Sequence, residues 1–393
     1  MHRLDTSNEV LTQAVIRYAV ERMRLDPPPL DHPRTEAELR AMAGHTVTPE
    51  GIGGLEALRV FGEVLAPACI SIDHPRFLSF VPSAPTQAAT LFDLVVGAGG
   101  MFGGTWLESS GAVFAENEAL RWLADLAGLP ASAGGVFVSG GSAANLSALV
   151  VAREVWRSAA SDRDGVRPLI VTSTGAHSSV RSAARVMDTE VLEVEADERG
   201  RASGDAFADG LDALDVRDRG RVAAIVATAG TTNLGVVDDL AGIGALAREQ
   251  GIWFHVDAAY GGAAMSVPRA RPLFDGIEQS DSFVVDPHKW LFAPFDCAAL
   301  LYREPALARA THTQHAEYLD VVTDTSNWNP SDFAYHLSRR ARGLPFWFSL
   351  ATYGTAAYGA AVETGLRLAE ESAALIREAG HVQLVVEPGL SIV

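Results

Sequence analysis

Lys289 is the only lysine in a chain of 393 residues that also carries thirty arginines. The two cations are interchangeable as surface charges but not as nucleophiles, because only an amine of moderate pKa sheds its proton and forms an imine. A chance surviving surface lysine is the plain alternative, and the setting DSFVVDPHKWLF argues against it by placing Lys289 between an apolar run and Trp290. A second group, Asp257, closes the run IWFHVD and is followed by AAYGG. A carboxylate ending an apolar strand either caps the next turn or needs a cationic partner to be buried. His177 follows PLIVTSTGA and precedes Ser178 and Ser179; an imidazole there either stacks on a flat ring or serves as a surface or capping residue. After GVFVS comes GGSAANLSALVVAR, where Gly140 and Gly141 precede a helix carrying Ser142 and Asn145. Glycines before a helix amino terminus let backbone amides approach an anion, and the helix dipole favours phosphate there. A tight strand-to-helix turn explains the same residues, and the pattern is neither a Walker loop nor GxGxxG.

These groups need a frame. From about residue 85 to 305 short β-branched runs alternate with Gly, Ser or Thr clusters and helical stretches, most clearly GVFVS (135–139), PLIVTS (168–173), VAAIVAT (222–228), IWFHVD (252–257) and SFVVD (282–286). Continuous apolar strands alternating with helices predict a mostly parallel sheet covered on both faces. The polar clusters follow the strands, and open α/β sheets bind ligands beyond strand carboxyl ends. Ser139 to Ser142, His177 to Ser179, Thr231, Asp257 and His288-Lys289 are therefore expected in one crevice, with a helix-sized segment between Asp257 and Lys289. A lysine for a Schiff base and an acid for a pyridine nitrogen are what pyridoxal 5'-phosphate (PLP) asks of a protein. Metal chemistry fits worse, on the reading that His255 and Asp257 face opposite sides of their strand. Serine hydrolysis also fits worse, because SGGSA only approximates GxSxG.

Composition narrows the field. A net charge of −18 repels a phosphate backbone and an anionic membrane, and 48% hydrophobic content supports a large core. No nucleic-acid role, no membrane association and no metal are expected. Cys69 and Cys297 are too few and too scattered for a disulfide framework and read as two buried small apolar residues in a reducing, cytoplasmic setting. Residues 1–70 read as helices broken by DPPPLDHP.

The ordered segments SGGSAANL, TGAHSS, ATAGTTNLGVVDD, HVDAAYGG and DSFVVDPHKW resemble the pyridoxal-phosphate-dependent group II amino-acid decarboxylases, the family of aromatic amino-acid, histidine and glutamate decarboxylases. DHPRFLSFVPS is similar to that family's substrate-pocket segment and RRARGLPFWF to the segment after its active-site loop, so the resemblance runs from about residue 50 to the end. It implies an α/β protein of fold type I, PLP-dependent transferase-like, with a mostly parallel seven-stranded sheet between helices. The implied organisation is an N-terminal helical segment with the substrate-pocket strand (1–84), a large PLP-binding domain (85–310), a mobile active-site loop with its following segment (311–345), and the start of a truncated small C-terminal domain (346–393), whose first strand is VVEPGLSIV.

The same resemblance implies Lys289 as the Schiff-base lysine, Asp257 on the pyridine nitrogen and His177 stacked on the ring. Gly141, Ser142, Ser282 and His288 hold the phosphate, Thr231 and Ala259 lie against the ring, and Phe80, Val81, Pro82 and Ser83 line the substrate side. The implied activity is decarboxylation of an L-amino acid to its amine and carbon dioxide, by a homodimer with the site at the subunit interface. Three departures stand out. Ala143 replaces a frequent Glu or Gln; Thr325 follows Thr323-Asp324 where the aromatic branch has a proton-donating tyrosine; and most of the C-terminal domain is missing. Tyr318 and Tyr335 are the alternative proton donors, or simply packing residues. An aldehyde-forming oxidative decarboxylase, another PLP lyase and an inactive paralogue are the rival readings.

Overall fold

The structure, a computed structural model, describes residues 6–82, 84–314 and 327–393. Its contacts divide into two compact units, Met1–Gln87 and Ala88–Val393. The first unit carries helices α1 (Thr6–Met23), α2 (Glu36–Ala43) and α3 (Gly54–Val60). DPPPLDHP lies between α1 and α2 without helix, as a run of prolines lacking amide donors requires. A capping box opens α2, with Thr35 Oγ1 accepting from the Glu38 amide at 3.3 Å and the Glu38 carboxylate accepting from the Thr35 amide at 2.8 Å. Tyr18 meets Phe61 edge-on at 5.8 Å, and Arg22 pairs with Asp73 at 2.8 Å. Cys69 is exposed here, which corrects the expectation that both cysteines are buried. It ends the short turn Ala66–Ala68, and its thiol donates to the Leu65 carbonyl, whereas Cys297 is buried.

The second unit is built on a seven-stranded sheet: β1 (Gly134–Val138), β2 (Leu169–Ser173), β3 (Glu190–Val194), β4 (Val222–Thr228), β5 (Trp253–Asp257), β6 (Ser282–Val285) and β7 (Ala298–Tyr302), in the order β1-β7-β6-β5-β4-β2-β3. Strand β7 is antiparallel to both its neighbours, and the other pairs are parallel. Around it run α4 (Gln87–Gly99), α5 (Trp106–Ala127), α6 (Gly141–Ser158), α7 (Ser178–Val186), α8 (Gly204–Asp212), α9 (Val216–Arg219), α10 (Leu240–Gln250) and α11 (Pro305–His312), followed by helices Leu344–Tyr353 and Thr355–Ala379.

All seven residues of β4 are buried, because helices cover both faces of the sheet. On one face Val136, Val138, Ile170, Val226, Val284 and Leu300 pack with Ala144, Ala148, Leu149 and Ala152 of α6. On the other, Gly244 of α10 lies so close to Phe254 that a Cβ there would approach the ring to 3.0 Å. Each fully buried aliphatic side chain contributes about 1.5–3 kcal/mol. The sheet therefore holds its strand ends rigidly.

Two strands were absent from the sequence reading, β3 and β7. Between β5 and β6 the expected helix-sized segment is instead a series of 3-10 turns, Gly261–Ser266, Arg271–Phe274 and Ile277–Gln279. Its Gly and Pro content suits tight turns more than an α-helix. The expected strand at VVEPGLSIV is also corrected: residues 381–393 form bends without strand pairing. Leu390 is buried there, and the Ser391 amide donates to Tyr260 Oη at 2.8 Å, so side-chain docking takes the place of a ladder.

Candidate active site

A cavity of about 720 Å³ opens beyond the carboxyl ends of β1, β2, β4, β5 and β6, a volume typical of small-molecule sites. Gly141, Ser142, His177, Asp257, Ala259, His288, Lys289 and Tyr335 all line it. The strand register explains the convergence, since Thr228 of β4, Asp257 of β5 and Val284 of β6 stand level across the sheet.

Lys289 sits in the turn after β6, where its amide donates to the Asp286 carbonyl at 2.9 Å and its Nζ pairs with Asp286 Oδ2 at 3.2 Å. The same oxygen accepts from the Gly141 amide at 3.2 Å, at the positive end of the α6 dipole. Gly141 must be small, because a Cβ there would stand 3.1 Å from Asp286 Oδ2 and 3.2 Å from Ala259 Cβ. His288 is buried, which pushes its pKa down. Its Nδ1 accepts from the Cys297 amide at 3.0 Å, so the ring proton sits on Nε2, 3.5 Å from Asp286 Oδ2.

Asp257 is buried with a different kind of company. Its Oδ1 accepts from the Ala259 amide at 3.1 Å and its Oδ2 from Asn145 Nδ2 at 2.8 Å. Among the described residues no ion pair reaches it. Nearby His255 is fully buried, and burial drops its pKa to about 4, so at neutral pH it is uncharged. The turn-capping reading of Asp257 is thus present in part, through Ala259, while its demand for a cation stays open. His177 shows its capping reading directly. It caps α7 through Nδ1, which accepts from the Ser179 amide at 3.2 Å, and its exposed ring lines the cavity.

Two expected residues are not at the cavity wall. Ser282 stands at the amino end of β6, where its buried hydroxyl accepts from Trp253 Nε1 at 2.9 Å and contacts His255 Nδ1 at 2.8 Å. Thr231 uses its hydroxyl to accept from the Val236 amide at 3.1 Å, closing its own loop, and Thr232 lines the cavity instead. Phe80, Val81 and Pro82 belong to the first unit, where Phe80 is exposed with φ 61°. Ser83, Tyr318 and the Thr323–Thr325 loop lie outside the described residues. Tyr335 is on the wall, its amide donating to Ser147 Oγ at 3.4 Å.

The opposite-face reading of His255 and Asp257 is also overturned. Residues two apart on a strand share a face, and both side chains contact Asn145. Among the described residues there is no cluster of three His, Cys, Asp or Glu suited to a metal. The sequence reading missed Asp286 and the roles of Asn145 and Ser179. Asp286 carried the same signal as Asp257, a carboxylate closing an apolar strand.

The donor set fits a phosphorylated pyridine aldehyde. One amine, one buried carboxylate without a cation, a glycine-lined helix amino terminus and an exposed imidazole edge face a single cavity. Thr228 Oγ1 and Asp286 Oδ1, on two of its lining residues, are buried without a hydrogen-bond partner, which suits a polar occupant.

Residues 56–393 match the family described as the pyridoxal-dependent decarboxylase conserved domain. The chain is 34% identical over 328 residues to an aromatic-L-amino-acid decarboxylase of Bacillus atrophaeus, covering 82% of this chain and 67% of that protein. It is 32% identical over 351 residues to an L-2,4-diaminobutyrate decarboxylase of Rhizobium meliloti (strain 1021), covering 87% and 69%. Among solved structures, Oryza sativa TDC with PLP and tryptamine superposes with a TM-score of 0.90 at 25% identity, over 100% of this chain and 84% of that one. Mouse CSAD gives 0.89 at 26%, over 98% and 82%. With its sheet order, cavity and matched residues in agreement, the chain belongs to the pyridoxal-dependent decarboxylase family and is a PLP-dependent amino-acid decarboxylase.

Proposed function

We propose that this chain converts an L-amino acid to its amine and carbon dioxide, with Lys289 as the residue that binds PLP covalently. The observation that carries the reading is the meeting of Lys289, Asp257 and the α6 amino terminus in one cavity. When bound, PLP supplies a conjugated ring that takes up the electron pair of the breaking bond between Cα and the carboxylate. Asp257, held by two neutral donors, would accept from the ring N–H and keep it protonated. Ser142 and His288, beside Gly141, would hold the phosphate, and Ala259 and His177, on the same wall, would contact the ring. Asp286 anchors the Lys289 ammonium before loading.

The names of the relatives, an aromatic and a diamino-acid decarboxylase, support an amino-acid substrate without choosing between side chains. A homodimer is supported by exposed apolar residues on α4 and α5, namely Leu91, Leu94, Val95, Leu107 and Phe114. A cytoplasmic location completes the reading; no described helix is long and apolar enough to cross a membrane. The test is a panel of L-amino acids, with carbon dioxide and amine measured together. At least one should give both in equal amounts, and Lys289→Ala should give neither. A panel without turnover, or an active Lys289→Ala, overturns the reading.

Thr325 motivates a second reading. If no phenol delivers the proton to Cα, oxygen and water are consumed, and aldehyde, ammonia, carbon dioxide and hydrogen peroxide are released. Tyr335, on the cavity wall, supports the amine-forming outcome. Phe substitution at Tyr335 and at Tyr318, with amine, aldehyde and peroxide measured together, separates the two.

A further inference from the structure

We infer that Asn145 is a positioning residue that locks Asp257 and His177 into one unit, at the centre of a buried hydrogen-bond chain that runs back to Trp253. The inference rests on the reading that Asp257 and His177 face the cofactor. Asn145, His255, Ser282, Ser179 and Asp257 are all buried, so every polar atom among them must be satisfied internally.

The direction of each bond follows from what each group is able to do. An indole N–H only donates, so Ser282 Oγ accepts from Trp253 Nε1 at 2.9 Å. The Ser282 hydroxyl donates to His255 Nδ1 at 2.8 Å, because the Asp257 carboxylate holds the Asn145 NH₂ and so turns Asn145 Oδ1 toward His255 Nε2. Neutral His255 then carries its proton on Nε2 and donates to Asn145 Oδ1 at 2.9 Å. Both hydrogens of Asn145 Nδ2 remain, one for Asp257 Oδ2 and one for Ser179 Oγ, each at 2.8 Å. Ser179, having accepted, donates to His177 Nδ1 at 2.8 Å, and the Ser179 amide donates to the same nitrogen at 3.2 Å.

The far ends agree with the near one. A carboxylate accepts only, and a ring nitrogen that receives an amide N–H has its lone pair there. Turning over the Asn145 amide would face its NH₂ against His255 Nε2–H and its oxygen against the Asp257 carboxylate. The chain thus has a single consistent arrangement. It leaves Asp257 an acceptor with a fixed orientation, and it leaves His177 with Nδ1 as an acceptor and its proton on Nε2.

The test uses the PLP-loaded protein with ¹⁵N-labelled histidine. His177 should show the Nε2–H tautomer in the parent. Asn145→Leu should keep that tautomer, which the Ser179 amide holds, but shift the His177 Nδ1 resonance as the Ser179 hydroxyl loses its fixed direction, and should bind PLP about tenfold more weakly, the effect expected for one hydrogen bond to a charged group. His255→Gln, whose terminal amide keeps a donor toward Asn145, should retain the parental tautomer and bind within about threefold of it. Should Asn145→Leu fail to fold, Asn145→Ala is read in the same way, with the same shift of the His177 Nδ1 resonance expected. A parental Nδ1–H tautomer, or a His177 signal unchanged in the leucine and alanine variants, overturns the inference. The reading it rests on fails separately, through an active Lys289→Ala, whatever the tautomer does.

Discussion

Asp257 and Asp286 stand at the ends of adjacent strands, follow apolar runs of similar length and are both buried, yet their surroundings are opposite in kind. Asp286 has its cation within the chain, Lys289, together with His288 and the α6 amino terminus. Asp257 has only neutral donors, Asn145 and the Ala259 amide, and no cation among the described residues. A buried carboxylate without a charge partner is costly. On the proposed reading, the difference separates the residue that receives the ligand from the one that holds the protein's own machinery in place.

The comparison can be broken or sharpened by substitution. Lys289→Ala carries the largest expected effect, loss of decarboxylation below detection in a carbon dioxide release assay. Asp257→Ala should follow, with the far-ultraviolet spectrum unchanged and turnover reduced at least about tenfold, as one charge-assisted hydrogen bond is worth. Asp257→Glu overreaches the same position and should also be poor. Asp286→Asn should cost less, about fivefold or under, because an ion pair with a part-exposed lysine is worth about 1 kcal/mol or less and the asparagine oxygen still accepts from Gly141. If Asp286→Asn proved more damaging than Asp257→Ala, the two carboxylates would have exchanged roles.

Acid should destabilise the fold through histidines that are buried neutral. Burial lowers His255 and His336 to about 4 from 6.5, and lowers His288 and His312 as well. The unfolded chain then binds more protons than the folded one between pH 6.5 and 4, so stability present above 6.5 is lost as pH falls through that window. Asp238, raised by burial to about 6, and Asp281, also raised by burial, act in the opposite sense, since the folded chain keeps protons there that the unfolded chain has released. Urea midpoints should fall from about pH 7 to about 4.5, and less steeply in His336→Gln. A flat or rising profile would show that the carboxylates prevail.

Much of the frame was legible because a parallel sheet leaves a plain signature. Strands β1, β2, β4, β5 and β6 are nearly continuous apolar runs ending in polar turns, and those turns deliver the cavity residues. Strand β3 was hidden because EVLEV is an edge strand, largely half-exposed, with Glu190 and Glu193 facing partly outward. Strand β7, AALLY, lacks the β-branched residues that flag a strand, and it is held by burial between β1 and β6. In the site, residues just after strand ends could be read from position alone. Ser282 could not, since its place at the amino end of β6 decides its partners. The chain through Asn145 and His255 was invisible, because it depends on which side chains of α6 and β5 face each other across more than a hundred residues of sequence.

The central claim is that one residue, at the end of β6, binds the cofactor. Borohydride reduction of the PLP-loaded protein followed by peptide mapping tests it directly. All pyridoxyl label is expected on the peptide that contains His288, Lys289 and Trp290. Label on any other peptide, or a loaded protein that takes up no label, would contradict the account.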